Sequence, residues 1–283
     1  MRVGAHVTFY YVEDRLKYLN QVIEGLLAIP HPTTVYIHSS RSLQGYGRLR
    51  NVKVLVYEYP EGNVWQYRDL WQREEMLQKL EWGHRLSHRM RLTKLMNPYY
   101  LTWENRRHVR KNIDQFDVQL CLEDDIAFTA SSFAYWLKYK DICVKHGYNL
   151  GFLRTEVSKT DELYVTDLTA SPSRIVKLEG TKFILNDINP YCGFWIYDKE
   201  ELKKFVNSRE WKFKFGGYGI REKSVVGWHG TGMTRYKGTI IPLVQNDKAR
   251  YETDPSSAVR HLPNNYIGHA TFCKIRFPIS VDA

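Results

Sequence analysis

The run Leu120-Cys121-Leu122-Glu123-Asp124-Asp125-Ile126-Ala127-Phe128 is apolar except for three consecutive acids at its centre. A buried strand has no use for carboxylates unless something cationic pairs with them, because an isolated buried charge is expensive. On a strand, Glu123 and Asp125 share a face and Asp124 points the other way. Two carboxylates on one face repel each other unless a proton or a hard cation lies between them. Mg²⁺ or Mn²⁺, held by one or two carboxylates and completed by diphosphate oxygens, meets that need. The chemistry implied is the handling of a nucleotide-diphosphate substrate. The same triplet also reads as a solvated loop after a strand, since acids favour turns.

Other side chains carry comparable pairs of readings. Glu222 is the only carboxylate between Glu210 and Asp247 and follows the glycine turn Phe215-Gly216-Gly217-Tyr218-Gly219. It is either a positioned general base or a first-turn residue favoured by the helix dipole. His261, in Val259-Arg260-His261-Leu262-Pro263, is a structural histidine or a ligand. Arg106, Arg107 and Arg110 precede the acidic strand and either face a diphosphate or are surface charge. Gly193, beside Phe194 and Trp195, marks close approach of a planar or sugar ligand, or a tightly packed core strand.

The elements that must position these residues follow from periodicity. Val3 to Val12 reads as a strand, and Leu16, Leu19, Ile23, Leu26 and Leu27 place a helix over 15–29, stopped by Pro30-His31-Pro32. Strands follow over 33–38 and 52–57. Strand, helix, strand is the βαβ unit of a parallel sheet, whose ligands sit beyond the carboxyl ends of the strands. No G-x-G-x-x-G opens the first helix, so a dinucleotide fingerprint is absent. Residues 65–96 read as helix, in two pieces meeting near Gly83, and Thr102 is the candidate N-cap of a helix reaching about Phe116. After the triplet come a helix over 131–145 and short strands over 150–155, 164–168, 174–178 and 182–185. The last pair is joined by a two-residue hairpin at Glu179-Gly180, and Asp198 caps a short helix. The expected fold class is α/β: an N-terminal Rossmann-like βαβ half with a mainly parallel sheet, continued by a mixed or antiparallel half.

Composition sets outer bounds. With 283 residues, 43% hydrophobic and 25% charged, the chain is long and apolar enough to bury a core and is not disordered. The 20 Tyr and 8 Trp suit stacking on flat ligands, or simply an aromatic core. The net charge of +10 favours polyanions, anionic membrane surfaces or phosphorylated small molecules. Basic residues crowd at His84-Arg85-Leu86-Ser87-His88-Arg89-Met90-Arg91, which is a solvated face or, across 84–94, a peripheral membrane contact. Neither an RNP-type sequence nor paired zinc ligands are present, so nucleic acid is not the expected partner. The four cysteines are widely spaced, which predicts reduced thiols and a cytoplasmic setting. No stretch approaches the roughly 18 apolar residues of a membrane span.

The order of these parts resembles the GT-A class of nucleotide-sugar-dependent glycosyltransferases. Glu123-Asp124-Asp125 stands where that class carries D-x-D, with Glu in place of the first Asp. The resemblance implies a single GT-A-like domain over 1–283, with a nucleotide-sugar-binding half at 1–129 and an acceptor-side half at 130–283. It implies Mn²⁺ or Mg²⁺ on Asp125, Glu123 and His261, with Asp124 reaching the donor sugar. It further implies nucleotide contacts from His6 and Thr8 and Glu222 as the base of an inverting transfer, while the diphosphate reading of Arg106 and Arg107 rests on their place before the acidic strand. The expected substrates are a nucleotide-diphosphate sugar and a glycan or lipid-linked saccharide acceptor. A sugar nucleotidyltransferase and a non-catalytic carbohydrate-binding module are the competing readings.

Overall fold

A computed structural model describes residues 1–57, 98–212, 219–229 and 238–281. The helices expected over 65–96, the basic stretch 84–94 and Gly216-Gly217 lie outside the described residues. Strands β1 (Val3–Phe9), β2 (Thr33–Ser39), β3 (Val52–Val56) and β4 (Val118–Glu123) are all parallel neighbours, and β1 lies between β2 and β4. Their shared direction puts Phe9, Ser39, Val56 and Glu123 at one end of the sheet, where parallel α/β sheets hold ligands.

Both faces of β1 are covered, which explains why all of its residues are buried. Val3, Ala5, Val7 and Phe9 pack against helix α1 (Leu16–Leu27) through Leu19, Val22, Ile23 and Leu26. The alternate residues, His6 among them, face helix α2 (Leu101–Lys111). Several boundaries differ from expectation: α2 ends at Lys111 rather than near Phe116, and the strand expected over 150–155 is two, at Asn149–Leu150 and Leu153–Val157. β1 ends at Phe9 rather than Val12, because Val12 to Arg15 turn into a short 3-10 segment that begins α1. Thr102 is not a cap: it lies inside α2 and donates its hydroxyl to the Tyr99 carbonyl at 2.7 Å.

After the acidic triplet, β5 (Ile126–Ala127) leads to helix α3 (Ala130–Lys145), opened by a capping box between Thr129 and Ser132. The later strands are β6 (Asn149–Leu150), β7 (Leu153–Val157), β8 (Leu163–Val165), β9 (Ile175–Leu178) and β10 (Thr181–Leu185). β11 (Phe194–Asp198) and helix α4 (Lys199–Val206) follow, the latter capped by Asp198 as expected. Helix α5 (Ile220–Val225), β12 (Thr239–Gln245), β13 (Tyr251–Thr253), β14 (Ala258–His261), β15 (Ile275–Arg276) and β16 (Ser280–Val281) complete the described chain. Glu179 and Gly180, both at positive φ, turn β9 into β10 as a two-residue hairpin.

Among the described residues the strands form three sheets: β11-β4-β1-β2-β3; β16-β13-β12-β10-β9 with β6 alongside β12; and β15-β8-β7-β14-β5. The fold is therefore mixed α/β, with a parallel sheet and largely antiparallel ones. Two pairings build the site. β11 returns antiparallel to β4, opposing Phe194 to Leu122 and accepting the Glu123 N–H at the Gly193 carbonyl. In the third sheet β14 pairs with β5 on one side and with β7 on the other. His261 is thereby set beside Ile126, one residue after the triplet, and near Glu156 of β7.

Candidate active site

A cleft of about 200 Å³ opens at the carboxyl ends of β1 and β4, and Glu123, Asp124, Asp125, Arg15, Arg221 and Thr8 are among its lining residues. Tyr10, Val12 and Tyr99 line it too, with Val12 and Tyr99 exposed.

β4 stops at Glu123, and Asp124-Asp125 form a turn. The two-residue alternation expected across the triplet therefore ends before Asp125. Arg15 instead gathers both aspartates. Its Nε and Nη2 donate to the two Asp124 oxygens at 2.8 Å each, and Nη2 also donates to Asp125 Oδ2 at 2.8 Å. Burial, with the neighbouring Asp125 charge, pushes the Asp124 carboxyl up to about 6 despite Arg15. Burial acts upward on Asp125 as well, but His261 and Arg15 outweigh it and hold this carboxyl well below the usual range. Asp125 Oδ1 is buried and has no hydrogen-bond partner among the described residues.

Glu123 Oε1 lies 3.2 Å from Arg221 Nε, an ion-pair contact without hydrogen-bond alignment. Burial pushes the Glu123 carboxyl up to about 7, and the Arg221 charge offsets only part of this. Gly193 makes room for the acid. It adopts φ +78°, and a Cβ there would lie 2.7 Å from Ile126 Cγ1 and 3.3 Å from Glu123 Oε2. The aromatic neighbours of Gly193 are buried core residues, so the packed-strand reading holds for Phe194 and Trp195.

His261 is held between two carboxylates. Its Nδ1 lies 2.5 Å from Glu156 Oε1, and its Nε2 lies 3.5 Å from Asp125 Oδ2. Glu156 is buried and its second oxygen accepts the N–H groups of Tyr266 and Ile267 at 2.8 and 2.9 Å. Burial lowers the His261 pKa, but Asp125 and Glu156 together raise it above the ordinary value. Beneath them, Arg154 makes a bidentate pair with Asp167 at 2.8 and 2.6 Å.

The other expected site residues are distributed differently. Thr8 lines the cleft, but His6, two residues back on the same strand, is sealed beneath α2 and bonded to His38 and Gln119. Arg106 is not among the residues lining the cleft. It is buried within 4.3 Å of the Trp211 ring centroid and 5.1 Å of those of Trp103 and Phe205, and donates to the Ser224 carbonyl at 2.7 Å. Arg107 is exposed on α2 and is not part of the cleft lining. Glu222 sits on the first turn of α5, folded back over Gly219 with its side chain 33% exposed, beside the cleft wall formed by Arg221.

Arg15, Arg221 and Glu156 are the site residues that reading the sequence misses. Arg15 follows the end of β1, where parallel-sheet ligands dock, and Arg221 is the neighbour of the acid that drew notice. Glu156 lies on β7, whose sequence Leu-Arg-Thr-Glu-Val is largely polar, so no interruption of an apolar run marks it.

Among the described residues, Glu123, Asp125 and His261 do not close into a set of three with all ligand atoms within 4.8 Å, whereas His6, His38 and His108 do. Asp125 with His261 nevertheless fits a hard divalent cation. One buried carboxylate oxygen lacks a partner, and the adjoining imidazole is oriented by a second carboxylate, the usual support for a metal-bound histidine. A single carboxylate completed by substrate oxygens is a common way to hold Mg²⁺.

No family model and no curated protein sequence matches this chain. Among solved structures, the S. aureus TarS 1-349 structure is similar at 11% identity and TM-score 0.39, covering 84% of this chain and 58% of that one. Mouse xyloside xylosyltransferase 1 is similar at 13% identity and TM-score 0.34, covering 83% of this chain and 85% of that one. This chain thus spans little more than half of the TarS structure. No described helix is long and apolar enough to cross a membrane.

Proposed function

We propose that the protein is a glycosyltransferase that moves a sugar from a nucleotide-diphosphate donor to a saccharide acceptor. The observation that carries the reading is the convergence, at the carboxyl ends of β1 and β4, of three buried acids with Arg15 and Arg221 around one cleft, with His261 set against Asp125. A site with both signs of charge, closed to bulk water at its floor, suits a substrate whose leaving group gains charge as the reaction proceeds.

In this reading the Asp125 oxygen without a partner and His261 would hold Mn²⁺ or Mg²⁺, which would supply charge to offset that of the two phosphates. Glu156 fixes the His261 ring so that Nε2 faces the site. Arg15 and Arg221 keep the acids oriented and present N–H groups to the diphosphate oxygens. Tyr10 and Tyr99 at the cleft wall offer flat faces to the base or a sugar ring. Glu123 takes the proton of the acceptor hydroxyl, since it lines the cleft and its pKa of about 7 matches the task near neutral pH. The acceptor oxygen then bonds to the anomeric carbon, the carbon–oxygen bond to phosphate breaks, and the nucleoside diphosphate leaves. Direct displacement of this kind inverts the anomeric centre.

The test is a binding and hydrolysis panel of UDP-, GDP- and dTDP-sugars with and without Mn²⁺. A donor that saturates the protein and loses its metal-dependent affinity in Asp125→Asn supports the reading. No binding or turnover of any donor overturns it. Glu123→Gln is expected to retain donor binding and lose transfer.

A further inference from the structure

Away from the cleft, on the α2 side of the parallel sheet, His6 of β1, His38 of β2 and His108 of α2 bring three imidazoles together with all ligand nitrogens within 4.8 Å. We propose that this is a second metal site, one that takes Zn²⁺ or a similar borderline cation and fastens α2 to the sheet. It is independent of the acidic cleft.

One pair of nitrogens already has the spacing of a bound ion, and the third ring lies within 4.8 Å of it. Zinc–nitrogen distances of about 2.0–2.1 Å in a tetrahedral site place two ligand nitrogens roughly 3.3 Å apart. His6 Nδ1 and His38 Nε2 are 3.1 Å apart. The hydrogen bonds around the rings fix their tautomers. Gln119 Nε2 donates to the Val109 and Asn112 carbonyls, so Gln119 Oε1 accepts from His6 Nε2–H at 3.1 Å. His6 Nδ1 therefore carries a lone pair directed at His38. The Gln119 amide, hydrogen-bonded to the far ring nitrogen, orients His6 as metal-bound histidines are usually oriented.

His108 supplies the third arm. Asn112 Nδ2 is 3.2 Å from both of its ring nitrogens, so it lies off the lone-pair direction of either, and the ring keeps a lone pair to give. Tyr57 closes the proton balance. Its hydroxyl is 3.0 Å from His38 Nδ1. When His38 Nε2 turns its lone pair to the ion, the proton leaves Nε2, Nδ1 takes one up, and the resulting Nδ1–H donates to the Tyr57 oxygen. No net proton is released. Three neutral nitrogens suit Zn²⁺, Co²⁺, Ni²⁺ or Cu²⁺ rather than the oxygen-loving Mg²⁺ and Mn²⁺, so the two sites are separated by ligand chemistry. Lys53 and Lys111, the cations that act on His108, oppose a dication and set the binding against which the nitrogens must compete.

The experiment is a Co²⁺ titration of the chelator-stripped full chain, read by the visible d–d bands of nitrogen-ligated cobalt. The expected result is one equivalent bound, displaced by Zn²⁺, with the bands intact in Asp125→Asn. His108 is the least buried of the three, and His108→Ala is expected to lose the bands and to weaken binding by more than the ~100-fold that losing a hydrogen-bond partner of a ligand costs. The wild-type thermal midpoint should rise with Zn²⁺ and not with Mn²⁺ at the same concentration, which tests the site without any variant. Absence of a stoichiometric band, bands retained in His108→Ala, bands lost in Asp125→Asn, or a midpoint indifferent to Zn²⁺ overturns the proposal.

Discussion

Replacing Arg15 with Ala removes the one guanidinium that Asp124 and Asp125 share, and the cost of this can be worked from the site. Three charge-assisted hydrogen bonds of 2.8 Å disappear. The aspartate side chains are only 12% and 9% exposed, so two adjacent carboxylates stay buried against each other. Breaking a buried pair costs about 3–5 kcal/mol. Arg15 itself is 31% exposed, and solvent screening brings the expectation to roughly 2–3 kcal/mol. The loss depends on pH with a definite sign. Asp124 is already raised to about 6, and without Arg15 it rises further. A carboxyl whose folded pKa exceeds its unfolded value of about 4 loses stability as pH climbs between the two. Protonation of Asp124 relieves the repulsion near pH 5, so the deficit is small there and full at pH 8. Urea denaturation of wild type and variant at both pH values measures it. A difference below about 0.5 kcal/mol at pH 8, or an equal one at pH 5, refutes the account of Arg15 as the counter-charge of the acidic turn.

Glu156→Gln keeps an oxygen for the Tyr266 and Ile267 N–H groups but removes the anion beside His261. The His261 pKa should fall toward its ordinary value in an NMR titration, and metal affinity at the cleft should weaken ~10–100-fold; an unchanged titration refutes the role. Wild-type His261, raised by its two carboxylates, contributes stability that is full below about pH 6.5 and fades as pH rises through its folded pKa. Arg106→Met sacrifices the Ser224 hydrogen bond and the aromatic contacts but also frees a charge whose burial lowers its pKa to about 10. A net loss of ~1–2 kcal/mol is expected with donor affinity unchanged, and a tenfold affinity loss would return Arg106 to the diphosphate site. Gly193→Ala forces a left-handed φ on a residue whose Cβ meets Ile126, costing roughly 2–3 kcal/mol by urea denaturation and disturbing Glu123; a neutral substitution would show that β11 can shift away.

The residues that the sequence alone determined are those whose reason is local. The apolar spacing of Leu19, Ile23 and Leu26 dictates α1, the pair Glu179-Gly180 dictates a hairpin, and Asp198 dictates a helix start. The acids at 123–125 interrupt an apolar run and mark a strand end, as a ligand site or as a turn, and Asp124-Asp125 prove to be a buried turn. What the charges meet is another matter. Arg15 reaches Asp124 across 109 positions because β1 pairs with β4, and His261 reaches Glu156 across 105 because β14 pairs with β7; neither pairing leaves a periodic trace. Arg106 and Arg107 are adjacent in sequence, yet one is enclosed by tryptophans and the other is exposed, since a helix turns neighbouring side chains roughly 100° apart. His6 and Thr8 share a face of β1, but only Thr8 lies far enough along to reach the cleft; α2 covers His6 and gathers it with His38 and His108. A sequence fixes which groups must be neutralised, because burial cost belongs to each residue. Only the tertiary structure decides what neutralises them, because an ion pair or a ligand set is a property of two or more distant segments brought within a few ångströms.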